Sequence, residues 1–144
     1  MNYWSNYVKA GWELVMEAQG ASSYYLTQDM ELFLVHVIAR TFEKTNIWDE
    51  PIAIKLMTAQ TLPKHQKQSA LRTIGEECLF IDAWEIKQNR WPSPAYFHDM
   101  GKIAFGFASI ASHPIDQVLE SASNNFLQVS KILRYARDLH AQHT

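Results

Sequence analysis

Three carboxylates lie close together in an otherwise apolar stretch. Glu76 and Glu77 are adjacent, and Asp82 follows about one and a half helical turns later. Paired acids suit general acid–base catalysis or a hard metal ion. Successive helical residues point about 100° apart, so Glu76 and Glu77 cannot share one site, and at least one is expected at the surface. The plainer reading makes one acid solvated and the other an acceptor for a Tyr, Trp or Arg across a helix bundle.

His36 sits inside the apolar run Leu32 to Ala39, where it could serve as a base or a ligand, or simply as a hydrogen-bonded core residue. His98 and Asp99 adjoin at a helix start and read equally well as a site or as a solvated first turn. A carboxylate-bridged metal centre needs Glu-x-x-His on two helices, and no such pair occurs here. No two histidines stand four apart as a zinc helix requires. Phosphate loops, nucleophile elbows and Cys-x-x-Cys pairs are also missing from the sequence, so neither metal nor cofactor is expected. Cys78, flanked by Leu79 and Phe80, reads as a small buried hydrophobe rather than a nucleophile.

The elements that would position these groups are helical throughout. Tyr3 to Gly20 have a loosely helical spacing that suggests a short first helix. Thr27 can cap the next helix, and Asp29 and Glu31 favour its positive end. From there Met30, Phe33, Leu34, Val37, Ile38 and Phe42 repeat at helical spacing to about Lys44, which makes this the expected central helix. Pro51 opens a shorter helix that ends before Pro63.

Ala70 to Trp84 form a further helix, with Lys64 to Gln68 as its solvated first turn. Ser93-Pro94 signals the start of another, on which Phe97, Met100, Gly101, Ala104, Phe107, Ala108 and Ala111 trace one face. Ile115 to Leu139 keep an almost unbroken 3.6-residue rhythm, which predicts a long C-terminal helix with a kink near Ser123-Asn124-Asn125. No strand pattern appears. The expectation is an all-α, single-domain bundle of five to seven helices over residues 1–144.

A glycine within a helix costs about 1 kcal/mol relative to alanine, so Gly75, Gly101 and Gly106 point to close approach by a neighbour. Gly101, Ala104, Ala108 and Ala111 would give a thin edge for a large side chain or for the helix bearing Gly75.

The chain has 144 residues, 47% of them hydrophobic and 19% charged, with a formal charge of -2, which fits a folded domain rather than a disordered segment. Lys and Arg are scattered, so no nucleic-acid footprint is expected. The longest apolar run is far below the roughly 20 residues of a membrane span. With one cysteine and no signal-peptide pattern at the amino terminus, a cytoplasmic setting is expected.

Three segments carry a resemblance: Leu26 to Val35, Ile74 to Phe80 with its Gly-acid step, and Tyr96 to Phe105 with its aromatic-x-x-x-Met-Gly pattern. In this order they resemble a family of uncharacterised bacterial helical proteins. The likeness covers roughly Leu26 to Ala108, and Glu76 stands where that pattern has Asp. It implies a helical fold and a bacterial source, and it implies no activity.

Two functional expectations follow. The first is a non-catalytic domain acting through protein contacts as a homodimer, because Tyr3, Trp4, Tyr7, Trp12, Trp48 and Trp91 exceed what a small core needs. The second is a site for a small apolar or aromatic ligand between the central helix and the Leu71 to Phe107 pair, with His36, Glu76, Tyr96 and His98 as its polar groups. Lys131, Arg134 and Arg137 also raise a membrane-surface helix, although a solvated face explains them more simply.

Overall fold

A computed structural model describes residues 3–43, 50–84, 94–111 and 114–142, the side chains of residues 3–7, 41–43 and 94 excepted. The expectations placed on Trp48, Trp91 and the Ser93 cap, and on the side chains of Tyr3, Trp4, Tyr7 and Phe42, lie outside the described residues. Among the described residues there are seven helices and no strand: α1 (Tyr3–Ser22), α2 (Gln28–Glu43), α3 (Ile52–Gln60), α4 (Lys64–Ala83), α5 (Pro94–Ala111), α6 (Gln117–Asn124) and α7 (Phe126–Gln142).

Local signals set several boundaries. The backbone N–H of Met30 donates to the Thr27 hydroxyl at 3.3 Å, and the N–H of Leu119 donates to the Asp116 carboxylate at 3.1 Å. Each satisfies a donor that the first turn of a helix leaves open. Pro51 and Pro63 stand immediately before α3 and α4 in extended conformations. Ser23, with φ 57°, turns the chain away at the end of α1, and the Ser22 hydroxyl accepts the N–H of Tyr24.

Two expectations need correction, and one holds. The first helix is not short but has 20 residues, and its end is secured by a residue the pattern did not reveal. Gln19 is 2% exposed; its amide donates to Glu31 at 2.7 Å and accepts the N–H of Leu26 at 2.7 Å, tying α1 to α2 across their connection. The expected departure from straight helix near Ser123-Asn124-Asn125 is found at Asn125: α6 ends at Asn124, the N–H of Asn125 still donates to the Ser121 carbonyl, and its own carbonyl accepts the N–H of Val129 in the first turn of α7, the long C-terminal helix. The helix on which the others converge is α4 rather than α2: it packs against α2, α3, α5 and α7, and every residue from Ile74 to Ile81 is buried.

The close α4–α5 approach has a plain physical basis. A Cβ on Gly75 would lie 2.7 Å from the ring of Phe105, so the glycine leaves room for that ring to rest on the α4 backbone. A Cβ on Gly101 would lie 2.5 Å from the ring of Phe126 and 2.8 Å from the Cβ of Cys78. The two seats join α4, α5 and α7 through one aromatic series. Phe33 meets Phe105 edge-on at 5.6 Å, and Phe105 lies 6.1 Å from Phe126.

Gly101→Ala and Gly75→Ala should therefore each cost about 1–3 kcal/mol through overpacking, despite the roughly 1 kcal/mol that alanine gains in helix propensity. Gly20→Ala, where nothing lies within 4 Å, should instead gain about 0.5–1 kcal/mol. Urea unfolding midpoints of the three variants measure this contrast.

Candidate functional site

Both glutamates on α4 are buried, Glu76 at 5% and Glu77 at 6% exposure, so the expectation that at least one is solvated is wrong. The spacing argument holds in that they point to different neighbours. It failed because α4 is covered on more than one side, leaving neither direction to solvent.

Glu76 faces α2. Its carboxylate accepts from Nε of Arg40 at 2.8 Å and from Nη2 at 2.7 Å, a bidentate pair, and Nε of Arg72 one turn earlier adds a bond at 3.1 Å. Arg72 also lies 5.8 Å from the centre of the Phe33 ring, so its guanidinium links the ionic and aromatic parts of the core. Glu77 faces α3 and accepts from Nζ of Lys55 at 2.8 Å, the two side chains being 8% and 11% exposed.

Asp82, with a side chain 3% exposed, faces α7. It accepts from the Ser130 hydroxyl at 2.6 Å and pairs with Arg134 at 3.5 Å. Arg137 donates to the Ala83 carbonyl at 2.8 Å. Two of the three cations read as a solvated face thus turn toward the C-terminal end of α4, where positive charge complements the helix dipole.

These contacts send the three carboxylates toward three different helices, α2, α3 and α7. Glu76 has both oxygens engaged by guanidinium N–H groups, so it is a structural anchor more than an open ligand. Among the described residues no group of three or more His, Cys, Asp or Glu side chains could hold a metal ion. Cys78 is fully buried; burial, and then the nearby Glu77 charge, push its thiol well above the usual range.

The other expected ligand residues lie apart. His36 is half-buried and lines a groove of about 620 Å³ between α1 and α2 with Val8, Lys9, Trp12, Glu13, Leu32 and Val35. His98 lines a different hollow, about 250 Å³, with Asp82, Ala95, Asp99 and Arg134, and its ring meets Phe126 edge-on at 5.1 Å. Tyr96 stands edge-on to Phe97 at 5.4 Å. The space expected to hold a pocket, between α2 and the α4–α5 pair, is occupied by Phe33, Phe105 and the Arg40–Glu76 pair.

One surface feature escaped the sequence reading. Phe107 was expected on the buried face of α5 but is 42% exposed, beside Ile103 at 44% and Ile110 at 64%. The buried face instead carries Phe97, Gly101, Ala104, Phe105, Ala108 and Ser109. The signal was present: Ile103 and Ile110 fall outside any single apolar stripe, so the C-terminal half of α5 is apolar nearly all round. A third hollow, about 340 Å³, adjoins this surface and is lined by Gln60, Leu62, Lys64, Lys67, Phe107, Ile110 and Ala111.

Compared with known proteins, the chain matches no family model, no curated protein and no solved structure. Among the described residues no helix is long and apolar enough to cross a membrane.

Lys55→Met should destabilise the fold by about 2 kcal/mol or more, because the buried Glu77 loses that ammonium. Arg72→Met, which leaves the bidentate Arg40 in place, should cost about 1 kcal/mol. Chemical denaturation of both variants tests the difference. Iodoacetamide should label Cys78 only as fast as the chain unfolds. Because the thiol ionises at higher pH folded than unfolded, its contribution to stability is intact below about pH 8.5 and is lost as pH rises beyond it. Cys78→Ala should flatten that alkaline decline in unfolding midpoints measured between pH 7 and 10.5.

Proposed function

We propose that the chain is a non-catalytic helical domain, bacterial and cytoplasmic, that acts through protein contacts and associates with a second copy of itself. The observation that carries this reading is the exposed face of α5, where Ile103, Phe107 and Ile110 are all more than two-fifths exposed. Large apolar side chains scattered singly on a surface are ordinary, whereas three on one helix face form a patch. The buried carboxylates support the same reading, since their cations come from neighbouring helices and hold the bundle together.

A contact along one helix falls at the low end of specific interfaces, below about 1,200 Å², so association in the micromolar to near-millimolar range is expected. Multi-angle light scattering across that range should show the apparent mass rising from one chain toward two. A constant monomer mass to near-millimolar concentration would remove the dimer. Ile110→Lys should keep the helical circular dichroism and abolish the rise.

A second reading, a small apolar or aromatic ligand, is favoured by the α1–α2 groove. Its volume of about 620 Å³ falls in the usual span of ligand sites, and Val8, Trp12, Leu32 and Val35 give it apolar walls with His36 and Lys9 alongside. Titration with 1-naphthol, followed by the indole N–H resonance of Trp12, should give a saturable shift. A resonance that does not move would end this reading.

A further inference from the structure

The exposed face of α5 carries an acid at one end and an apolar middle, and its other end adjoins two lysines of α4. Tyr96, Asp99, Ile103, Phe107 and Ile110 fall within roughly an 80° arc of the helix, opposite the face that packs on α4. Asp99 is exposed near the N-terminal end of this arc. Near the other end, the hollow against Phe107, Ile110 and Ala111 is lined by Lys64 and Lys67 from the first turn of α4, with no acidic residue in its lining. The surface thus runs from an acid on α5, across the apolar side chains of α5, to two lysines on α4.

Such a gradient is complementary to itself when reversed. We infer that two copies of the chain pack α5 against α5 in antiparallel register, so that Asp99 of each copy meets Lys64 and Lys67 of the other. This inference rests on the protein-contact reading above and names the partner, the surface and the direction. If Asp99 lies opposite positions 110–111, Ile103 lies opposite Phe107 of the second copy, and the large side chains meet at the centre of the contact. A two-fold axis between positions 103 and 107 generates every contact twice, which is how a closed dimer uses a single patch.

A parallel arrangement would set Asp99 beside Asp99 and the lysines beside the lysines, and like charges in apposition are what discriminating interfaces avoid. Two cations described near the acidic end have contacts within their own chain. Arg134, which shares a hollow with Asp99, is engaged by Asp82 on its own chain. Lys102 on α5 donates to the Ser123 carbonyl at 3.1 Å and so is turned toward α6.

Sedimentation equilibrium on the full chain tests the register by charge reversal. Asp99→Lys should weaken the dimer on the order of ten-fold, because two symmetric exposed pairs become repulsive. Adding Lys64→Glu and Lys67→Glu in the same chain should restore it, since both copies then carry the reversed gradient. All three positions are at least partly solvated, and circular dichroism confirms that each variant folds.

A second measurement reads geometry directly. An equal mixture of Ile103→Cys and Phe107→Cys chains, oxidised at dimer-forming concentration, should give the mixed disulfide in preference to either same-variant one. Cα atoms more than about 7 Å apart cannot be bridged without backbone movement. Buried Cys78 does not compete. A dimer that ignores Asp99→Lys, fails to recover with the compensating glutamates, or prefers same-variant disulfides overturns the antiparallel register while leaving self-association intact. A wild-type chain that stays monomeric overturns both.

Discussion

The fold depends on how closely α4 and α5 approach. Phe105 rests on the backbone of Gly75, and Phe126 rests on Gly101 against the Cβ of Cys78, so one ring from α5 and one from α7 fill the space that two missing side chains leave. This is a packing constraint of the kind interiors enforce strictly, because density near that of an organic crystal leaves no slack for an added methyl group. With α5 and α7 drawn in on one side, α4 becomes the helix on which the others converge, and its remaining directions are closed by α2 and α3.

That central position explains why α4 is the helix that carries the buried acids. A carboxylate taken out of water costs several kcal/mol unless a cation and good hydrogen-bond geometry come with it. Here each acid has a donor from a different helix: Arg40 from α2, Lys55 from α3, and Ser130 with Arg134 from α7. The pairs do less to raise stability than apolar residues of the same volume would. What they add is direction, since a neighbour docked with the wrong face toward α4 would leave a charge buried without its partner.

Function, on this reading, lies outside the packed centre. The acids that looked most like chemistry are occupied by the fold, while the outer face of α5 keeps large apolar side chains in water between an acidic and a basic end. The three hollows described here are separate, and His36 and His98 line different ones. The polar groups expected to converge do not share one hollow among the described residues, and the contact we propose uses the extended face of α5 instead.

Several features were legible in the residues alone. Helical periodicity, the Thr27 cap, the prolines before α3 and α4 and the small-residue edge of α5 all depend on local chemistry, which sequence spacing records directly. Gly75 and Gly101 could be read as close approaches because a glycine inside a helix costs stability that a neighbour needing the space can justify, whereas Gly20 shows that the rule has exceptions. What spacing could not record was which helix would have neighbours on every side. The burial of both Glu76 and Glu77, the exposure of Phe107 and the inward turn of Arg134 all follow from that choice. A helical wheel assigns a direction to each side chain; only the placement of the other helices decides whether that direction leads to solvent or to a partner from a distant part of the chain.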